Sequence, residues 1–261
     1  MSGIGGADYD ARVSSGPRSE HAPATAPGLQ ELDRRLRWRF VPLLVFGAMM
    51  VGLGAAAAVS LLAPRGAIHG IPADPDARSA YALIGAQPPP ATGALRFRSE
   101  LTGEAEPGGP QPAPAAAAAA RTLLMRAQAR HLLDPRLPTA IAHIDLARHR
   151  FEHAERSYHR ALMLAPHYGE ARLGLGVAFA LHAEREAEPL EQRSLRLQAI
   201  AQLAAVPAAD PLHEHALYDR IVLLAEVGRG AEAGRRARDY ASRYGGTAWA
   251  ESLRVRTAIE R

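Results

Sequence analysis

The chain has 261 residues, 48% hydrophobic and 22% charged, with a formal net charge of +4, a length that suits one or two domains. It contains no cysteine, which excludes disulfides, thiol nucleophiles, thioether-linked haem and lipoprotein acylation. It contains no lysine either, so all 31 basic residues are arginine, and neither a Schiff-base lysine nor a phosphate-loop lysine exists. Asparagine is also absent; with the high alanine and proline content, this looks like the codon bias of a GC-rich bacterial genome. The arginines are spread along the chain and alternate with Asp and Glu in the C-terminal half. No basic block with interleaved aromatics occurs, so no nucleic-acid partner is expected.

In chain order, residues 1–33 are mostly Gly, Ser, Pro, Ala and charged residues and cannot bury a core, which predicts a disordered cytoplasmic tail. Residues 34–63 predict a short juxtamembrane helix continuous with a single transmembrane helix. From Phe40 to Ala63 there are 24 positions without a charge, and about 20 apolar residues suffice to cross a bilayer. Pro42 falls where a helix start tolerates it and Pro64 marks the stop. A cleaved signal peptide fits less well, because the leader of 39 residues and the apolar core are both long, although Ala55–Ala58 imitates a cleavage site. A buried core helix fits less well, because the run is apolar on every face. Arg34, Arg35, Arg37 and Arg39 precede the span, with Trp38 as an interfacial anchor, while only Arg65 and Arg78 follow closely. The positive-inside rule then places the N-terminus in the cytoplasm and the C-terminal part beyond the inner membrane, in the periplasm of a Gram-negative cell. Ala48, Gly52, Ala56 and Ser60 recur every four residues, a small-residue row through which the span could associate with itself or with another helix.

Residues 64–113 carry Ile71-Pro-Ala-Asp-Pro75, Gln87-Pro-Pro-Pro90 and Glu106-Pro-Gly-Gly-Pro-Gln-Pro112. This composition predicts a semi-extended periplasmic linker, with short ordered pieces at residues 80–84 and 95–101. Residues 114–261 read as helical throughout. Pro114 suits a first helical position, and Leu123, Leu124, Ala127, Leu132 and Leu133 are spaced for one apolar face. Turns are expected near Asp134-Pro135, Pro166, 207–211, Gly228 and Gly245-Gly246, and no alternating strand pattern of useful length is present.

Within that region Ala154, Tyr158, Ala161 and Pro166 stand at steps of four, three and five. This small–large–small face closed by proline resembles the second helix of a tetratricopeptide (TPR) repeat, a helix pair of about 34 residues. With Ala142 at the small position of the first helix, the first unit covers residues 135–168. A second unit, 169–213, carries Gly176 and Phe179 on its first helix and Ala199, Leu203, Val206 and Pro211 on its second. It is about 11 residues too long, because Pro166 and Pro211 are 45 apart; the excess is expected within 184–194, as a lengthened helix or a loop. A third unit, 214–246, restores the phase, with Ala199 and Ala233 34 apart and Ala237 and Gly245 following. Residues 247–261 would form a cap helix with Trp249, Leu253, Val255 and Ile259 for packing. Leu203 and Val206 depart from the usual aromatic and alanine. The expected fold is all-α, a short TPR-like solenoid of antiparallel helix pairs behind one transmembrane helix and a Pro-rich linker.

The resemblance implies a groove lined by the first helix of each pair. The phase assigns to it Arg136, Thr139 and His143 from the first unit, Glu170, Leu173 and Val177 from the second, and His215, Tyr218 and Val222 from the third. An apolar strip with a few polar groups suits an extended peptide or a partner helix. The family's clamp for C-terminal carboxylates uses lysine and asparagine, which this chain lacks. His143, His149, His153 and His159 cluster in sequence, but a turn near 148–151 breaks the face that His149 and His153 would share, so no metal site is expected. No HExxH, GxSxG, phosphate-loop or dinucleotide fingerprint occurs, and Gly174-x-Gly176 reads as close helix packing. No catalytic residue and no cofactor are expected. The sequence favours a membrane-anchored scaffold or assembly factor over a structural subunit held through its transmembrane helix, with a metal or ligand receptor as a more distant third reading.

Overall fold

The structure is a computed structural model, and it describes residues 70–85, 95–99, 101, 103–104 and 113–258. The predicted tail, the transmembrane helix and its row of Ala48, Gly52, Ala56 and Ser60 lie outside the described residues. Among those described, no helix is long and apolar enough to cross a membrane.

The described residues form nine helices and one two-stranded ladder. In chain order they are α1 (Pro75–Gly85), β1 (Arg98–Ser99), β2 (Gly103–Glu104), α2 (Pro114–Arg130), α3 (Arg136–Ala147), α4 (Phe151–Leu164), α5 (Gly169–Ala183), α6 (Pro189–Ala204), α7 (His213–Glu226), α8 (Gly230–Tyr244) and α9 (Ala248–Ala258). From α2 onward each helix packs on its successor across a short turn, which makes neighbours antiparallel. The result is an all-α row of TPR-like pairs: α3–α4, α5–α6 and α7–α8, closed by α9.

The pairing follows from the small–large–small spacing. Ala154, Tyr158 and Ala161 are fully buried on α4. The Tyr158 ring enters the next pair at Gly174 of α5, where an added Cβ would stand 2.4–2.5 Å from Cζ, Cε1 and Oη. Gly176 receives Leu203 of α6 in the same way, with an added Cβ 2.7 Å from Leu203 Cγ. Glycine is needed at both places because a bulkier residue would separate the helices. In the first and third pairs the turn carries a left-handed residue two positions before the second helix, whereas the longer turn 184–188 of the second pair carries none. Gly228 supplies it before α8 at φ +79°, and His149 supplies it before α4 at φ +54°.

The excess length of the second pair is distributed rather than inserted. Helices α5 and α6 have 15 and 16 residues, against 12 and 14 for α3 and α4. The turn 184–188 and the connection 205–212 are also longer than their counterparts 148–150 and 165–168. Only part of the excess therefore lies within 184–194.

Two stretches of the expected linker, at the short ordered pieces anticipated near 80–84 and 95–101, are packed parts of the fold. Helix α1 lies against α2, burying Ala77, Ala80, Tyr81 and Ile84 on Ala117, Ala120, Leu124 and Ala127, and the same core reaches Leu137 and Ile141 of α3. Asp74 caps α1 by accepting the N–H groups of Asp76 and Ala77, at 2.9 and 3.2 Å. It also accepts two hydrogen bonds from Arg130 at the end of α2, at 2.9 and 3.0 Å. Proline content hid this helix because Pro75 stands at its first turn, where proline is tolerated. Helix α2 ends at Arg130, so Leu132 and Leu133 leave the expected apolar face and are exposed. The second packed stretch is 95–101. It leads into the β1–β2 ladder, a short strand pair where the sequence predicted none, and Leu95, Phe97 and Leu101 are buried.

Candidate functional site

Helix α7 is buried on most of its surface, and its sequence His213-Glu-His-Ala-Leu-Tyr-Asp-Arg-Ile-Val places Asp219 among apolar neighbours. A carboxylate in such a position requires a partner. The partner comes from the segment Leu95-Arg96-Phe97. The Arg96 main-chain N–H donates to Asp219 Oδ1 at 2.6 Å. The Arg96 guanidinium donates from Nη1 to Glu214 Oε1 at 2.6 Å and to the Tyr240 hydroxyl at 3.1 Å. Its Nη2 stands 3.3 Å from His215 Nε2. The Tyr240 hydroxyl donates onward to Glu214 Oε1 at 2.8 Å. The guanidinium carbon lies 4.6 Å from the Trp249 ring centroid and 6.0 Å from that of Tyr218, within cation–π range. Arg96 is thus held in an acidic and aromatic socket built by α7, α8 and α9.

Phe97, the next residue, is fully buried. Its ring meets His143 of α3 edge-on at 5.2 Å, and His143 in turn contacts Tyr158 at 5.6 Å. Leu95 and Phe97 share one hydrophobic cluster with Leu173, Val177, Tyr218 and Val222. Three consecutive residues therefore lie along the face shared by the first helices of the pairs, from α3 to α7.

The electrostatics follow from this burial. Burial pushes the Asp219 carboxyl well above the usual carboxylate range, opposed by the Arg96 N–H and the Arg96 charge. Its Oδ2 is buried without a hydrogen-bond partner. Burial also pushes Glu214 up, but the hydrogen bonds from Arg96 and Tyr240 outweigh it and hold the carboxyl below its ordinary value. Burial and then the Glu214 hydrogen bond raise the Tyr240 phenol. Burial lowers the His143 imidazole to about 3, so it is neutral.

The structure brings most of the expected groove residues together, but not as an open surface. His143, Leu173, Val177, His215, Tyr218 and Val222 are all buried around Leu95–Phe97. Glu170 is buried too, accepting from the Tyr168 hydroxyl at 2.6 Å, with Oε1 3.8 Å from His143 Nδ1. Tyr218 closes the far end through its hydroxyl, 2.9 Å from Ser252 Oγ of α9. Thr139 bonds the Pro135 carbonyl, just before its own helix, at 2.8 Å. Arg136 pairs with Asp134 at 2.8 Å and donates to the Gly70 carbonyl at 3.3 Å. These partners of Arg136 and Thr139 lie outside the Leu95–Phe97 segment.

The sequence reading missed the occupant and its socket. A local signal existed for the first: Leu95-Arg-Phe-Arg98 alternates apolar and charged residues between two Pro/Gly-rich flanks, the mark of an extended piece. For the second, Asp219 falls on the same helical face as Ala216 and Leu223, an acidic residue in an apolar stripe. The histidine cluster does not assemble, and among the described residues no group of three or more His, Asp or Glu is placed to hold a metal.

No family model matches the chain, and no curated protein matches it. Among solved structures, the chain is similar to a thermophilic TPR protein from Thermus thermophilus. The identity is 17%, the match covers 56% of this chain and 75% of that one, and the TM-score is 0.47.

Proposed function

We propose that the chain is a membrane-anchored scaffold or assembly factor that works through protein–protein contacts and carries out no chemistry of its own. The observation that carries this reading is the face shared by α3, α5 and α7, which holds an extended peptide segment along its length through apolar burial and one paired arginine. A row of helix pairs is a binding architecture, and an extended peptide held by side-chain pockets is a recurrent mode of recognition. The anchor and its orientation rest on the sequence alone. The uncharged stretch 40–63 supports the span, and the four arginines before it favour a cytoplasmic N-terminus with the helix pairs in the periplasm of a bacterial cell.

The absence of cysteine makes the topology directly measurable. A single cysteine at Ser14 and, separately, one at Glu251 are treated in intact cells with a membrane-impermeant maleimide. Labelling at Glu251 with protection at Ser14 is expected; the reverse pattern, or labelling at both, would refute the orientation. For the partner contact, a photo-crosslinking residue is placed at the exposed Arg98 or at Gly52 in the native membrane. Crosslinks from Arg98 to another protein support the scaffold. Crosslinks from Gly52 alone would replace it with a structural subunit held through its membrane helix.

A further inference from the structure

The segment that fills the shared face belongs to the chain itself, and it enters between two stretches whose sequences read as spacers, Gln87-Pro-Pro-Pro90 and Glu106-Pro-Gly-Gly-Pro-Gln-Pro112. We infer that this face is a recognition site for an extended partner peptide carrying an arginine between two apolar residues, and that Leu95-Arg96-Phe97 is its internal stand-in, which the partner displaces. The inference rests on the scaffold reading and deepens it by naming the chemistry of the partner.

The socket has the composition of an arginine site rather than of ordinary core. A structural strut across this face would need only apolar burial, and Leu95 and Phe97 already supply that. Around the Arg96 guanidinium the protein instead assembles the Glu214 carboxylate, the Tyr240 hydroxyl and the face of Trp249, while Asp219 accepts from the main-chain N–H of the same residue. A planar guanidinium satisfies hydrogen bonding at its edge and aromatic stacking on its face at once, which an ammonium cannot. Asp219 Oδ2 keeps an unused acceptor site within the buried socket. The apolar pockets on either side fix spacing: Phe97 meets His143 of α3 while Arg96 meets α7. Only a peptide with the aromatic immediately after the arginine serves both.

An internal ligand also explains how such a site stays closed until needed. A tethered segment competes at an effective concentration on the order of millimolar. A weakly matching peptide cannot displace it, whereas a partner that presents the same residues and makes further contacts can.

The test uses the full-length chain in detergent micelles with Trp38→Phe, which leaves Trp249 as the single reporter of the two tryptophans. The probe is a synthetic peptide with the sequence of residues 92–101. Replacing the occupant by Arg96→Ser with Phe97→Ser should yield saturable one-to-one binding, read by Trp249 fluorescence. The same peptide should bind the chain with its native segment at least roughly 100-fold more weakly, as the tethered competitor dictates. Glutamine at the peptide's arginine, or Glu214→Gln in the emptied chain, should each weaken binding at least tenfold. Failure of the emptied chain to bind, equal binding of the glutamine peptide, or a concentration-dependent dimer that exchanges the segment between copies would each overturn the inference. If the emptied chain does not fold by circular dichroism, hydrogen exchange of the Arg96 amide is followed in the unsubstituted chain. Millimolar probe should accelerate exchange, and no acceleration would count against displacement. These results are separable from the scaffold reading. Crosslinks from Arg98 in membranes can persist when the peptide fails, and their absence refutes the scaffold whatever the peptide does.

Discussion

Two glycines separated by 60 positions should respond to the same substitution with opposite signs. Gly174 lies in α5 and Gly234 in α8, both within helices. Replacing helical glycine by alanine stabilises by about 0.5–1 kcal/mol, through the entropy lost by the unfolded chain. At Gly234 the new Cβ would meet only Arg238 Nη1, at 4.0 Å, so that gain should appear in full. At Gly174 it would stand 2.4–2.5 Å from three atoms of Tyr158, about 1 Å inside ordinary carbon contact. The ring cannot retreat easily, because Tyr158 is fully buried between Ala154 and Ala161 with His143 against it. Overpacking of this kind costs about 1–3 kcal/mol, which exceeds the helical gain. Gly174→Ala should therefore destabilise by up to about 2.5 kcal/mol and Gly234→Ala stabilise by about 0.5–1 kcal/mol. For a folded part of this size, each kcal/mol moves Tm by about 2–4 °C. Thermal unfolding followed by far-UV circular dichroism should place the two variants on either side of the parent. A Gly174→Ala protein as stable as Gly234→Ala would show that Tyr158 does not wedge against α5.

Three further outcomes are expected. The Tyr158 hydroxyl is buried without a hydrogen-bond partner, so Tyr158→Phe should be neutral or stabilising by up to about 1 kcal/mol; a loss of more than that in denaturant unfolding would mean the hydroxyl has a partner. His143 is held at about 3 in the fold against 6.5 unfolded, so the unfolded state takes up the proton first as pH falls. The stability is complete above about pH 6.5 and declines from there toward pH 3, by about 2 kcal/mol at pH 5. His143→Leu should flatten that part of the pH profile, and an unchanged slope would contradict the burial, with Glu170 as the nearby carboxylate to check. Asp74→Ala removes both the cap of α1 and its tie to Arg130. It should cost about 0.5–2 kcal/mol from capping alone, read as faster hydrogen exchange over residues 77–84 while α7 stays protected; equal protection in parent and variant would place the anchor of α1 elsewhere.

The helix pairs were readable because their determinants are local and periodic. Ala154, Tyr158 and Ala161 mark the contact face of α4 from spacing alone, and Pro114 marks the start of α2. The turn at His149 was not readable as left-handed, since that conformation is imposed by the helices it joins and is usually announced by glycine, as at Gly228. Helix α1 was masked by flanking prolines that stand outside its hydrogen-bonded interior. The face itself was legible: the phase of the repeat selected His143, Leu173, Val177, Tyr218 and Val222, which the structure gathers into one neighbourhood. Its occupant was not, because nothing near Arg96 in sequence encodes Glu214 or Asp219. Those contacts depend on where two distant stretches of chain arrive in space.

Arg96 is 123 residues from Asp219 and 144 from Tyr240 in sequence. Helix-pair rows ordinarily fold from neighbour to neighbour, and this contact breaks that rule. At synthesis rates of about 5–20 residues per second, roughly 8–30 s pass between the emergence of Arg96 and that of Trp249, its last partner. For that interval Leu95 and Phe97 have no completed face to lie on. The segment is thus the last piece to dock although it is among the first to be made. Its seating reports that the whole row, through the cap helix α9, has been finished.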